Sequence, residues 1–493
     1  MPEPFVRADI WTLAQDDPIV VAYAEAVAAM QAKPPDDPTS WAYQAAIHGT
    51  HAPAPPPEWN QCRHGTWYFT SWHRMYLYFF ERIVRAQVIA NGGPQTWALP
   101  YWNYDGGDEN ALPPAFREPT GPGGGANPLF VAGRNPGINA GAGLPPSITS
   151  PGFALGRPSY TGSSEFGGGE TSPLGQFWSQ TGRLEQTPHN DVHVTIGGLM
   201  GDPDTAAQDP IFWLHHANID RLWWLWQQDH VDPSDPAWTT QTFGFMDAGG
   251  VPASLTGADV EDTVKQLDYI YDTGVVAVPE PPRGQVPPTE WPHPWPERAG
   301  VGVPQLAAAG NPRREPVRHL VGASDAPVRL VGETARVPVT IDERATSSLR
   351  ADAHVGQQHH RAYLDVDDIE ADRNPGTVYG VYVNLPDDPT DADLAAHHVG
   401  NVSLFGVERA RNPRGNEHAH GLHVSMEITE LLDRLAAEGK WQEGGRLDTT
   451  FRPITLEPPA GRADLAADDL RAMRATAHPD VPVTIGRVSV HFA

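Results

Sequence analysis

The 493-residue chain carries 34 basic against 61 acidic residues, a formal charge of -27, and is 40% hydrophobic with 16 Trp. That length suits two or more domains, or one large domain with an appended one, around a sizeable core. The acidic balance argues against nucleic acid or an anionic membrane surface as a partner; the single cysteine, Cys62, excludes intrachain disulfides, thiolate-rich zinc sites and iron–sulfur clusters; and no run of about 20 apolar residues is present to span a membrane.

The opening MPEPFVRADIW has neither a basic nor an apolar leader region, so a cytoplasmic protein is expected, with export alongside a partner as the alternative. Asp17 followed by Pro18 signals a helix start, and Val21, Ala24, Val27 and Ala28 recur at helical spacing. A second helix is predicted from Thr39 or Ser40 and carries Trp41, Ala45 and His48. After a Pro-rich loop over 50–61, the sequence from Ser71 reads as a long buried helix. Trp72, Tyr76, Phe79, Phe80, Ile83 and Val84 fill one broad apolar face. WALPYWNYDGG is a short buried segment ending in a turn. Residues 105–176, rich in Gly, Pro, Asn and Ser, read as long loops packed on the helical core at the rim of a cleft; Phe116, Phe130, Phe153, Tyr160, Phe166 and Phe177 argue against disorder. A further buried helix follows Asp209, a cap residue, and Pro210, suited to the first turn. The proline density over 274–318 marks a domain boundary. From about 319, short apolar–polar alternations give a β-sandwich or barrel, interrupted by one helix near 427–438.

The chemistry lies in the histidines. His48, His64 and His73 sit beside Trp- and Phe-rich segments. His189 and His193, four apart, share one face of a helix. His215 or His216, at the start of the next helix, completes a second three-histidine set. A lone buried histidine is usually a satisfied core residue, but clustered imidazoles are more often ligands. Six imidazoles without a carboxylate or thiolate suit copper or zinc. Catalytic zinc usually stands singly, so two adjacent sets suit a redox pair of copper ions able to pass two electrons to O2. Cys62, two residues before His64, is either a small buried hydrophobe or a partner in chemistry with it. In the C-terminal region, His359–His360, His397–His398 and His418, His420 and His423 are expected to be exposed loop residues, with a metal site in the last group as the alternative.

The residues around both sets resemble the type 3 copper proteins: tyrosinases, catechol oxidases and hemocyanins. The first set matches through His48, Cys62-Arg63-His64 and Phe69-Thr70-Ser71-Trp72-His73-Arg74 with Tyr76, Leu77, Phe80 and Glu81; the second through Glu185, His189-Asn190, His193 and the run Asp209 to Trp223. The resemblance covers about residues 1–275 and its motifs are specific. It implies a mainly α catalytic domain (1–275), a four-helix-bundle core with long loops holding two copper ions, Cu A on His48, His64 and His73 and Cu B on His189, His193 and His216. The second histidine of the adjacent pair is the family's ligand, leaving His215 in the pocket. It also implies a Cys62–His64 thioether, with a free thiol as the alternative, and a structural clasp of Arg7 with Tyr269 and Tyr271. After a Pro-rich linker (276–318), the β-rich region 319–493 is similar to the C-terminal domain of plant-type polyphenol oxidases, which covers the active site and keeps the enzyme latent.

The activity implied is oxidation of a small phenolic substrate by O2, o-diphenols to o-quinones and monophenols by ortho-hydroxylation. Glu185 and Asn190 match the family's pair that holds the water taking the phenol proton. Asp220 is expected either to accept a hydrogen bond from a ligand imidazole or to pair with Arg221 at the surface. Pro203 stands where many plant enzymes place a bulky aromatic gate, so a more open entrance lined by Met200 or Val194 is expected. The competing functions are an o-aminophenol oxidase, a strict catechol oxidase, a hemocyanin-like O2 carrier with a blocked entrance, and a C-terminal module for partner binding. Nothing in the sequence sets an oligomeric state.

Overall fold

The computed structural model describes residues 3–272, 317–342, 361–412, 421–441, 445–459 and 478–493, apart from positions 106, 122, 163, 172–179 and 479. Most of the Pro-rich linker, together with His359, His360, His418 and His420, lies outside the described residues.

The first half is built on helices α1 (Pro18–Gln31), α2 (Trp41–His48), α3 (Phe69–Ala90), α4 (Asp191–Ile196) and α5 (Ile211–Trp226). Their starts are specified locally. Asp17 accepts from the Ile19 N–H with Pro18 in the first turn, and Ser40 accepts from the Tyr43 N–H. Helix α5 begins one residue later than the sequence suggests, but Asp209 still caps it through the Ile211 N–H, at 3.1 Å. α3 runs 22 residues, about 33 Å at 1.5 Å per residue, and its Trp72, Tyr76, Phe80 and Val84 are buried as the apolar pattern requires. The segment after it buries Trp97, Leu99, Tyr101, Trp102 and Tyr104 completely. In the loops, Phe116, Tyr160 and Phe166 are buried as well.

A short strand, β1 (Phe5–Arg7), pairs in parallel with β2 (Tyr269–Tyr271). This brings Arg7, wholly buried, under α3 and α5. Arg7 donates from Nε to Glu81 at 2.7 Å and from Nη1 to Asp220 at 3.1 Å and to the Tyr271 hydroxyl at 2.9 Å. Its guanidinium carbon lies 3.7 Å over the Tyr269 ring. Arg74 takes the other Asp220 oxygen. Burial alone would raise the Asp220 carboxyl, but Arg74 and Arg7 outweigh it and hold it below the ordinary carboxylate range. Asp220 therefore bonds no ligand imidazole and forms no surface pair; both tyrosine hydroxyls also donate to it. Arg221 is buried too, over the Tyr101 ring. The reason is geometric: Asp220 lies on α5 where the helix meets Arg7 and Arg74, and two cations fix its oxygens before an imidazole can.

Among the described residues the second half is one sheet of nine antiparallel strands, curled nearly closed, and not two stacked sheets: β3 (His319–Ala323), β4 (Val328–Leu330), β5 (Ala335–Ile341), β6 (Ala362–Glu370), β7 (Tyr379–Val383), β8 (His398–Val402), β9 (Leu422–Glu427), β10 (Arg446–Pro453) and β11 (Val483–Phe492). The order is β8-β7-β10-β5-β3-β11-β6-β9, with β4 also on β11. On β5 the alternation is clean: Val337, Val339 and Ile341 point into the core while Arg336, Pro338 and Thr340 face out. Among the described residues three helices interrupt the strands where one was expected: Asp391–His397, α6 (Val407–Arg411) and α7 (Thr429–Ala437). The first two are too short for periodicity to reveal.

The buried Arg7 network should dominate the stability of the first half. Arg7→Ala strips cationic compensation from Glu81 and Asp220 and is expected to cost about 3–5 kcal/mol in denaturant unfolding. Val6→Ala, at a half-exposed position on the same strand, should cost under about 0.5 kcal/mol. Equal losses at the two positions would refute the assignment.

Candidate metal centre

Seven buried imidazoles meet between α2, α3, α4, α5 and the loop before α3. They form two groups, His48, Cys62, His64 and His73, and His189, His193, His215 and His216, the ligand atoms of each lying within 4.8 Å of one another. The groups abut: the His73 and His216 rings stack with centroids 4.3 Å apart. His189 and His193 do not lie on one regular helix. A π-type turn over Glu185–Asn190 leads into α4, and the two rings approach to 4.5 Å.

Burial in an apolar shell pushes every one of these imidazoles down. His48 and His193 fall to about 3, and His64, His73, His189, His215 and His216 lie well below the usual range. They are neutral at physiological pH, the state a metal requires. Fixed acceptors then set their tautomers. Nδ1 of His48 donates to Pro203 O, of His73 to Phe69 O and of His193 to Met200 O, each at 2.8 Å, and Nδ1 of His189 to Asn190 Oδ1 at 2.9 Å. Each Nε2 lone pair is left facing inward. Nε2 of His48 and of His189 is buried without a hydrogen-bond partner. Nε2 of His193 and of His216 approach to 3.3 Å, the separation expected of two ligands on one tetrahedral ion with metal–nitrogen distances of about 2.0–2.1 Å. This donor set, all neutral nitrogen, fits copper.

The remaining expected residues are placed as follows. His215 has neither ring nitrogen hydrogen-bonded, and its ring stacks on Tyr104 and His189. Cys62 Sγ lies 3.5 and 3.4 Å from Nδ1 and Nε2 of His64 and 3.4 Å from His73 Nε2. Burial, with Glu185 nearby, pushes its thiol pKa up. Glu185 is buried, accepts from the Gly65 N–H at 2.8 Å and has its other oxygen free of protein partners; burial raises its pKa well above the usual value. Met200 and Pro203 act through their carbonyls, not as an exposed rim; Met200 and Val194 are wholly buried. His397 bonds Val383 O, His398 bonds Asn401, and His423 on β9 pairs with Asp367. None of the three is an exposed loop residue, and among the described residues none joins a metal-ligand group.

The residue that sequence reasoning missed is Phe405. Its ring, 1% exposed, stacks on His193 with centroids 4.2 Å apart and meets His64 and His189 edge-on at 5.3 and 5.6 Å. The open entrance expected from Pro203 is therefore closed from the β-rich half. The available signal was the Phe405-Gly406 pair: Gly406, with φ 81°, turns the chain sharply so that Phe405 projects at the bend.

The profile of the common central domain of tyrosinase matches residues 38–136 and 157–229. A tyrosinase of Hahella sp. (strain CCB-MM4) is 32% identical over 507 residues, covering 95% of this chain and 96% of its own. The chain belongs to the tyrosinase family. Polyphenol oxidase of Malus domestica is 27% identical over 84% of this chain and 70% of its own length, and (+)-larreatricin hydroxylase of Larrea tridentata 25% identical over 86% and 72%. A latent apple tyrosinase of known structure shares the fold over 100% of this chain and 97% of its own, with a TM-score of 0.60 at 22% identity. Residues 317–493 match a family described only as a domain of unknown function. As a member of the tyrosinase family the chain is a dicopper oxidoreductase that oxidises phenolic substrates with O2. The expectation of a cytoplasmic protein does not stand: both plant relatives are named as chloroplastic, hence imported, so a tyrosinase of this kind is not tied to the cytoplasm.

Without metal, the neutral histidines set the acid sensitivity. Below about pH 6.5 the unfolded chain takes up protons that the folded imidazoles refuse, so stability falls with pH until their depressed folded values are reached. For His48 and His193 the loss is about 2 kcal/mol each at pH 5. Carboxyls raised by burial act in the opposite sense: Asp9, Asp105 and Asp191, held up to about 7, and Glu185, pushed well above its usual value. In the copper-free chain His48→Gln should therefore lessen the fall in thermal stability between about pH 7 and pH 5 relative to the parent; an unchanged difference between the two pH values would contradict neutral burial of His48.

Proposed function

We propose that the chain is a latent tyrosinase that hydroxylates monophenols as well as oxidising o-diphenols, with His48, His64 and His73 holding one copper and His189, His193 and His216 the other. The observation that carries the ligand assignment is the arrangement of tautomers: fixed acceptors on Nδ1 leave the Nε2 lone pairs convergent. The copper pair supplies the electron exchange between phenol and O2. His215, whose ring stacks on His189, belongs on this reading to the pocket beside that imidazole and is not a ligand.

Glu185 and Asn190 support the monophenol reading. A phenol must lose its proton before its ring is attacked. Glu185 offers a buried oxygen with no protein partner, and Asn190 sits against His189. A water between the carboxylate and the amide can take the phenolic proton at the site where it is released. Burial makes the ionised carboxylate a strong base. Glu185→Gln keeps the shape and removes the base. It should lower kcat/KM for a monophenol by about 10²–10⁴-fold and for an o-diphenol much less. Equal losses would remove the role.

Two further features complete the reading. Sγ of Cys62 lies within 3.5 Å of both His64 ring nitrogens, close enough for a thioether to form by a two-electron oxidation in which O2 takes the electrons and the thiol and ring hydrogens are lost; intact mass of the matured protein should be lighter by those two hydrogen atoms. Phe405 occupies the face of His193 that a phenol ring would stack on. It accounts for latency without a change in the copper ligands. Phe405→Ala in the full chain should raise o-diphenol turnover about 2- to 10-fold, the scale of one lost aromatic contact. Unchanged turnover would place the block elsewhere.

A further inference from the structure

The loop Gly197–Asp204 joins α4 to the segment before α5. It turns on Gly197 and Gly198, with φ of 67° and 57°, conformations that other residues rarely adopt. Two of its carbonyls orient one imidazole in each group: Met200 O holds His193 and Pro203 O holds His48. Pro203 reaches His48 because Gly49 leaves room; a Cβ there would stand 2.4 Å from Pro203 O.

The β-rich half grips this same loop. Asn374 donates from Nδ2 to Gly201 O at 2.8 Å, one residue after Met200. Arg409 on α6 donates to Asp204 Oδ1 at 3.0 Å, one residue after Pro203, with both side chains more than nine-tenths buried. Glu408, beside Arg409, accepts from the Asn374 N–H at 3.1 Å and ties the two grips together. From the helical half, His51 reaches Asp202 at 2.7 Å. Arg157–Glu427, at 2.6 Å, also crosses between the halves but touches neither the loop nor α6.

We propose that Asn374 and Arg409 are positioning residues for the copper centre: the C-terminal half clamps the loop whose carbonyls aim His193 and His48, and so retains copper in both sites. This is a role separate from occlusion by Phe405. It rests on His48 and His193 being copper ligands. Removing partners behind metal-bound histidines typically weakens metal affinity about 10–100-fold; the clamp acts on two such partners at once.

The test uses the full-length copper-loaded protein. Copper lost to a competing chelator is followed by metal analysis in the parent, in Asn374→Ala/Arg409→Gln, in Arg409→Lys and in Arg157→Ala. The double variant should release copper at chelator concentrations about 10–100-fold lower. Arg409→Lys, which keeps the charge at Asp204, should recover much of the retention. Arg157→Ala, which weakens the junction elsewhere, should behave as the parent. Amide exchange on copper-free protein gives a second reading: the double variant should exchange faster at Asp202 and Ala206, whose N–H groups bond Leu199 O and Asp202 O. Parent-like copper retention with parent-like exchange in the double variant would overturn the proposal, as would an equal loss in Arg157→Ala. A parent whose copper is retained after His48→Ala and His193→Ala would instead overturn the ligand assignment beneath it.

Discussion

The structure depends on keeping a cluster of uncharged imidazoles dry and correctly turned. An imidazole has two nitrogens and offers a metal only one. Burial removes the proton that would spoil the second, but it cannot choose which nitrogen carries the remaining one. For His73, His193, His48 and His189 that choice falls to the acceptors behind the ring: Phe69 O within α3, Met200 O and Pro203 O on one loop, and the Asn190 side chain. The helices deliver the rings, and the backbone between them sets their direction. A centre of this kind is as good as its loops.

The β-rich half then has two distinct points of contact with that centre. Phe405 lies against the face of the His193 imidazole, where on the proposed reading it stands in the way of an aromatic substrate. Asn374 and Arg409 hold the backbone behind the imidazoles. The first contact opposes turnover, whereas the second supports the site that performs it. The junction also carries polar contacts: Arg157–Glu427, Arg361–Glu165, Ser164–Ser425 and Asn401–Asp191.

Much of this was legible in the sequence. The helices bearing His48, His73 and His216 were marked by caps and by apolar periodicity, and strands such as β5 by alternation. Other features depend on contacts between distant segments, to which local patterns are blind. Asp220 looked like a partner for an imidazole because it lies one turn from His216; its real partners, Arg7 and Arg74, come from elsewhere in the chain. Met200 and Pro203 were singled out for their side chains, yet their carbonyls do the positioning, and a carbonyl has no sequence signature. Phe405 lay in a run that read as strand, and only the chain reversal at Gly406 turns it towards the histidines.

The Arg7–Asp220 contact has a mechanical meaning as well. His216 and Asp220 are four residues apart on α5, about 6 Å along its axis. A helix slides against its neighbours in steps of a turn, since intermediate positions leave side chains between grooves. Asp220, gripped by two guanidinium groups and two phenol hydroxyls, acts as a dowel that blocks such a step. The N-terminal strand thus fixes the axial position of the His216 imidazole, which it never touches.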